Sequence, residues 1–477
     1  MKINKQTFLN IYFPILLFLI SFCWKLYYIG TRDVCLDEPF TLYHAQFNVW
    51  NILKLPTQNE PNPPLFMLLL HFWIKLFGIS ASSIRFLPLF CNALTTVFMY
   101  FIGKKFFSLW SGILSSGIFI LSTYHFYFGL EARTYSMLSM ATAASLYFFI
   151  SLIKEPNKTK YIPALIISNF FLIYSHYFGL LIVFVQLITS FMFLDNKKIF
   201  KKIWIAIIIT GILFLPMAII VIKQFLISSK GTWVQPPSKS EYLNQIWWFL
   251  NSKIIFNITL FIFFIGIIYA ILTCTAKKIP REFIIIFLWW FIPFTLMFFV
   301  SFKIPMFLNR YILFNTIGFY LSIAIIINML YDRTPLYIVS GLYLYFMFTQ
   351  LQINSKDFYY REVKNTVNDV KNKLTPNTII LIYPSWADLG FMYYYNRSIF
   401  QNVSLYDTLL NKNNIYHVWN FAEVKEKLKM HKNNRIIFIQ DGQLEDKTIS
   451  TYLDSIYVIS SKTFYPQCFN VSSYEMK

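Results

Sequence analysis

The sequence predicts an all-α polytopic membrane domain of about 11 transmembrane helices, followed by a small C-terminal α/β extracytoplasmic domain. Three observations predict it. The 477 residues are 57% hydrophobic and only 13% charged, about half the charged share of an ordinary soluble protein. Apolar runs long enough to cross a bilayer recur through residues 1–352, separated by Lys/Arg clusters. From residue 353 the composition changes, and 353–477 carry 12 of the 22 acidic residues.

The first run, Phe8 to Ile29, is too long for a secretory leader and no small-x-small cleavage site follows it, so it reads as a signal anchor with Lys2 and Lys5 inside. Residues 30–83 then form a large external loop. Within it Pro63–Phe77 is apolar but shorter than the ~20 residues a span needs, and it is expected as a helix on the membrane surface. Further crossings are expected at 84–103, 109–128, 135–153, 161–175, 178–194, 203–225, 255–273, 283–301, 311–330 and 336–352. With this assignment every tight basic cluster (Lys104–Lys105, Lys154–Lys160, Lys197–Lys202, Lys277–Arg281, Arg333) falls on one side. Making Pro63–Phe77 a span would flip all later clusters outward, against the positive-inside rule. The amino terminus is therefore inside and the tail outside.

The formal charge of +20 lies in short loops, not in a basic stripe. It reads as orientation signal and contact with anionic lipid, which excludes nucleic acid as partner. In the tail, amphipathic helices are expected near Tyr359–Leu374 and Ala422–Met430, and strands at Thr378–Tyr383 and Arg435–Gln440. Five cysteines lack metal spacing. Cys35 and Cys468 both face the oxidising side, either as a pair or as two unrelated thiols.

Acidic residues are scarce before the tail, so their grouping is informative. Glu155, Asp195, Glu282 and Asp332 lie among the inner basic clusters and read as loop charges. Asp33, Asp37, Glu38, Glu60, Glu131 and Glu241 are external, and no acid lies mid-span, which argues against an intramembrane proton relay. Asp37 and Glu38 follow the first span. A carboxylate there can take a proton from a hydroxyl, or it can simply cap the helix opening at Pro39. Glu131 and Arg133 flank an external turn. Arg133 is suited to a phosphate by its forked donors, or pairs locally with Glu131. Glu60 is a candidate ligand for a divalent cation, with a single carboxylate to offer. His176, in a very short outer turn, reads as an interfacial hydrogen-bonder or a catalytic group. Lys303 and Arg310 either bind a lipid phosphate or anchor their helix. The loop Gly231–Pro237 reads as a mobile loop or lid. No phosphate-binding Gly-rich loop, HExxH or nucleophile elbow is present.

In this order the motifs resemble a family. Asp37-Glu38 follow the first span, and Asn62-Pro63-Pro64-Leu65-Phe66 open the surface helix. Ile84-Arg85-Phe86-Leu87-Pro88, Gly103-Lys104-Lys105, Glu131-Ala132-Arg133-Thr134-Tyr135, Ser175-His176-Tyr177-Phe178-Gly179 and Asn309-Arg310-Tyr311 follow. The set resembles bacterial family 39 membrane glycosyltransferases of the GT-C superfamily, of the protein-mannosyltransferase and aminoarabinose-transferase type, over residues 8–395. The resemblance implies a GT-C-like catalytic domain over 1–352 and a polyprenyl-phosphate sugar donor. It also implies a lipid, protein or polysaccharide acceptor, with inverting transfer outside the membrane. It maps the base to Asp37, with Glu38 beside it, and the donor-phosphate ligands to Arg133, Arg310 and Lys303. Glu131, Tyr135, His176 and Asn62 become the expected substrate contacts. Asn62 departs from the His that many relatives carry before Pro-Pro, which puts any metal there in doubt. A lipid-linked glycan flippase or transporter, a glycan polymerase or ligase, and a non-catalytic scaffold are the competing classes.

Overall fold

The computed structural model describes residues 4–58, 60–272, 279–353, 361–431, 434–442, 447–465 and 468–476. Lys2, Cys274, Lys277, Lys278 and the start of the expected helix at Tyr359 lie outside the described residues. The chain divides into two compact units, one of residues 1–28, 53–69 and 85–353, the other of 29–52, 70–84 and 354–477.

In the first unit each expected crossing falls on a helix. Among the described residues seven helices are long and apolar enough to cross a membrane by length and composition: Lys5–Leu26, Ala81–Phe106, Tyr135–Lys154, Lys197–Ser228, Lys253–Leu272, Arg281–Val300 and Asn309–Leu330. Leu109–Ile120, Tyr161–Ser175 and Gly179–Phe193 are apolar but shorter, and Arg333–Thr349 has 17 residues. Leu65–Phe77 is a helix of 13 residues, as its short apolar run predicts. The chain is a multi-pass membrane protein.

One expected crossing, 109–128, is broken in two. Leu109–Ile120 stops, and Ser122 opens a new helix, Thr123–Gly129, by accepting a hydrogen bond from the His125 amide at 3.2 Å. Asn251 holds the break: its Oδ1 accepts from the Thr123 amide (2.8 Å) and its Nδ2 donates to the Leu121 carbonyl (2.7 Å).

Two helices form the centre of this unit. The most apolar stretches of Asn309–Leu330 and Tyr135–Lys154 are 89% and 83% buried, against 17% for Lys197–Ser228 and Lys253–Leu272. Tyr135–Lys154 can be enclosed because its inner face is small: Ser136, Ser139, Ala141, Thr142, Ala143 and Ser145 are buried and let neighbouring backbones approach. Their hydroxyls bond back to the preceding turn, Ser139 to the Tyr135 carbonyl (3.1 Å) and Thr142 to that of Leu138 (2.8 Å). Ser145, Asn169 and Gln186 form a buried polar knot joining three helices (Ser145 Oγ to Asn169 Oδ1 2.7 Å, Asn169 Nδ2 to Gln186 Oε1 2.9 Å). At the other end of the helices the loop acids are neutralised by basic clusters. Glu155 pairs with Lys105 (2.8 Å) and Lys158, Glu282 with Lys154 (2.8 Å), and Asp195 with Arg281 (3.7 Å).

The second unit is built on a five-stranded sheet: β1 Thr378–Tyr383, β2 Ile415–His417, β3 Arg435–Asp441, β4 Tyr457–Phe464 and β5 Phe469–Met476, in the order β2-β1-β3-β5-β4. β1 pairs parallel with β2 and β3, whereas β5 runs antiparallel to β3 and β4. β1 and β3 are the two expected strands, apolar runs buried along nearly their whole length. The β4–β5 hairpin was not expected. Most of β4 is exposed edge, so its sequence lacks the apolar alternation that reveals a strand. Helices Val363–Lys373 and Phe421–Met430 match the two expected amphipathic segments. Cys468 is a buried free thiol whose Sγ lies 3.9 Å from Thr366 Oγ1, so the alternative in which it pairs with Cys35 is not formed.

Candidate active site

The two central helices of the first unit begin at the expected site residues. Helix Tyr135–Lys154 starts two residues after Arg133, and Asn309–Leu330 opens on Asn309-Arg310-Tyr311. Helix N-termini carry unsatisfied amides and the positive end of the helix dipole, so both starts favour an anion. The two starts meet: the Tyr135 and Tyr311 rings are 6.2 Å apart.

The outer turn at Ser175–Phe178 closes on the same place. Thr134 Oγ1 donates to the Ser175 carbonyl at 2.7 Å. The His176 ring lies 6.3 Å from that of Tyr135 and 5.6 Å from that of Tyr311, with Phe178 stacked on it at 4.6 Å. The Phe178 amide donates to His176 Nδ1 (3.2 Å), so the neutral ring carries its proton on Nε2. Burial, and after it the Arg133 charge, push His176 down to about 3. At neutral pH it is an uncharged hydrogen-bonding group beside a fixed cation.

Both arginines are packed against aromatic faces. Arg133 is buried, its guanidinium 5.8 Å from the Tyr135 ring centre. Arg310 lies 5.5 Å from the Tyr311 ring and 5.2 Å from Trp233. Trp233 belongs to the expected lid loop, held to the next outer turn by Thr232 Oγ1, which donates to the Pro305 carbonyl at 3.4 Å. An aromatic face beside a guanidinium attracts its charge and helps to hold it in place.

Glu60 and Asn62 flank this group. Asn62 Nδ2 donates to Glu60 Oε1 at 3.0 Å, and Gln224 Nε2 ties the loop to helix Lys197–Ser228 through the Glu60 carbonyl (2.7 Å). Burial and then the Glu60 charge push the Tyr177 phenol up, placing that carboxylate close to the residue next to His176. A divalent cation would find one carboxylate here, already engaged by an amide. Among the described residues no group of three or more His, Cys, Asp or Glu gathers, so these residues do not build a cation cage. Glu131 is half-buried, its carbonyl accepting from the Arg133 amide at 2.7 Å. Lys303 is exposed after helix Arg281–Val300, and no contact among the described residues ties it to the arginines.

Asp37 and Glu38 belong to the second unit. Asp37 occupies the N-cap position of helix Glu38–Ala45, but its side chain does not cap the helix; its carbonyl accepts from Thr41 N (3.0 Å) and Oγ1 (3.1 Å). Glu38 is buried. Leu36, directly before Asp37, has φ +57°, a left-handed conformation that costs a bulky residue free energy and is typical of sites where the backbone is held for a purpose.

Two participants, and one buried lysine of the same unit, were not singled out from the sequence. Tyr311 and Trp233 stood within motifs already noted, but their stacking on the arginines is not encoded locally. Lys25 is wholly buried in the first unit, linked to Asn92 and through it to His125. Its only signal was a lysine inside an apolar run.

Residues 61–222 match the family model of dolichyl-phosphate-mannose-protein mannosyltransferases. The structure of ArnT from Cupriavidus metallidurans in the apo state is similar to the whole chain, with TM-score 0.62, 10% identity and 98% of each chain covered. The same protein bound to undecaprenyl phosphate matches with TM-score 0.62 and 10% identity, over 97% of this chain and 98% of that one. The archaeal oligosaccharyltransferase AglB from Archaeoglobus fulgidus, in complex with an inhibitory peptide and a dolichol-phosphate, matches with TM-score 0.56 and 10% identity, over 98% of this chain and 74% of that one. No curated protein sequence matches significantly. The chain has the GT-C fold, as the resemblance in its sequence implied, and the matches support a glycosyltransferase-type enzyme.

Proposed function

We propose that the chain transfers a sugar from a polyprenyl-phosphate carrier to an acceptor hydroxyl on the extracytoplasmic face of the bacterial cytoplasmic membrane, with inversion. The observation that carries this is the ring cluster of Tyr135, His176 and Tyr311 at the starts of the two central helices, with Arg133 against Tyr135 and Arg310 against Tyr311. Two cations and two helix N-termini form a site for a phosphate at the end of a membrane bundle. Similar structures are of proteins bound to undecaprenyl phosphate and to dolichol-phosphate, which supports a lipid-phosphate donor.

In this mechanism Asp37 takes the proton of the acceptor hydroxyl as its oxygen bonds to the anomeric carbon. The bond from that carbon to the phosphate oxygen breaks, and its electron pair leaves with the polyprenyl phosphate. Arg133 and Arg310 stabilise the charge that develops on the departing group. His176, held neutral, donates a hydrogen bond without adding repulsion between cations. Asn62 and Glu131 contact substrate, and Glu38 supports Asp37. The orientation follows the charged loops, with the amino terminus in the cytoplasm and residues 353–477 outside.

The test is purified protein given a radiolabelled polyprenyl-phosphate sugar with envelope extract as acceptor source. A transferase consumes the donor, whereas a flippase only moves it. Asp37→Asn should abolish transfer while protein level and membrane insertion stay unchanged. Full activity in that variant removes Asp37 as the base.

A further inference from the structure

The second unit contains a cleft that the transferase reading does not use. β2 is the edge strand of the sheet. Between the helices that precede and follow it, Tyr406–Lys412 and Phe421–Met430, lies a cavity of about 260 Å³ lined by Asp407, Asn411, His417, Trp419, Glu426 and Lys427 among others.

Its polar groups are set in place from below. Asp388, 2% exposed, accepts through one oxygen from His417 Nδ1 (2.7 Å) and from the Tyr406 hydroxyl (3.0 Å). This orients the imidazole, leaving Nε2 facing Asp407 Oδ1 at 3.8 Å. The bond to Asp388 also holds His417 above its ordinary range. Glu423, on the same wall, is spent on the helix start: it accepts from the Trp419 amide (2.8 Å) and from Asn420 Nδ2 (3.0 Å). That capping box pins the Trp419 backbone while its side chain stays 62% exposed.

We propose that this cleft binds a saccharide ring, with Trp419 as the stacking face and Asp407, Asn411, His417 and Glu426 bonding its hydroxyls. A sugar presents an apolar C–H face beside hydroxyls that both donate and accept. The lining offers an exposed indole, two carboxylates that only accept, an amide that does both and a lysine that only donates. The carboxylates repel phosphates and other anions. A cation cage is not built, since no group of three metal-ligating side chains gathers among the described residues. The volume suits a small polar ligand. The inference stands on the second unit alone and does not depend on the transferase reading.

The test uses the full-length protein in lipid nanodiscs on a glycan array, with saturation-transfer NMR on any glycan retained. The wild type should retain at least one glycan class, Trp419→Ala should lose it by tenfold or more, and Trp386→Ala, an exposed tryptophan not among the cleft residues, should keep it. Because Trp419→Ala could disturb folding, Asp407→Asn with Glu426→Gln, both on exposed helix positions, serves as a second variant with the same expected loss. No retained glycan, retention unchanged in these variants, or capture of a lysine-rich extended peptide in place of any glycan would each overturn the assignment.

Discussion

Lys25 Nζ lies 2.5 Å from Asn92 Oδ1, and both residues are completely buried. Asn92 Nδ2 in turn donates to the His125 carbonyl (3.2 Å), and His125 Nε2 meets Thr316 Oγ1 at 2.6 Å. The chain of bonds links the first span, Ala81–Phe106, Thr123–Gly129 and the central helix Asn309–Leu330. Asn92 also packs on Gly129, where an added Cβ would lie 3.0 Å from its amide, two residues before Glu131. Removing one partner of such a pair leaves a buried polar group unsatisfied. Asn92→Leu should therefore destabilise the protein by about 3 kcal/mol. Lys25→Met combined with Asn92→Leu should recover much of that loss, a non-additivity that thermal unfolding of the four proteins in detergent measures.

The arginine pair makes a binding prediction. Arg133→Ala and Arg310→Ala should each weaken binding of undecaprenyl phosphate by roughly tenfold to a hundredfold, the scale of one charge-assisted hydrogen bond. Lys303→Ala, exposed and untied to the pair, should change it less than twofold, about 0.4 kcal/mol. Titration of purified protein with the lipid phosphate checks all three. Equal losses in all three variants would assign the effect to general surface charge.

His176 makes the fold acid-sensitive. Its folded value is pushed down to about 3, below the ordinary 6.5, so below pH 6.5 the unfolded chain binds a proton that the folded one refuses. The contribution is present above 6.5 and is lost as pH falls toward 3. Apparent melting temperature should drop over that window, and His176→Gln should drop less. An unchanged acid limb in the variant places the sensitive group elsewhere.

Gly103 and Gly112 mark a close approach of two helices in the first unit. A Cβ on Gly103 would lie 2.4 Å from the Gly112 amide nitrogen, and one on Gly112 2.5 Å from the Tyr100 carbonyl oxygen. Backbone cannot yield as a side-chain tip can, so Gly103→Ala should cost about 3 kcal/mol. Gly211, on helix Lys197–Ser228, has nothing within 4 Å of the same position, and Gly211→Ala should be neutral or stabilise by about 0.5 kcal/mol. Unfolding of the two variants side by side separates close packing from helix propensity.

Membrane class, most helix positions and the two buried parallel strands of the tail are legible in the residues alone. These depend on runs of neighbouring residues, since bilayer thickness sets a local length and strand burial a local apolar run. The sequence also supplied Arg133, Tyr135, His176 and Arg310 as candidates, because charge and histidine are rare in apolar turns. Tertiary structure alone brings the rings of Tyr135, His176 and Tyr311 together, with Arg133 against the first and Arg310 against the last. Tyr135 and Tyr311 meet because they stand at the starts of the two helices that the bundle encloses, and enclosure depends on small side chains matched between helices far apart in the chain. The same holds for Lys25, whose burial beside Asn92 and Phe119 reflects packing across three segments. The edge strand β4 was hidden for the opposite reason: its order comes from pairing with β5, and its exposed side chains carry no trace of that partner.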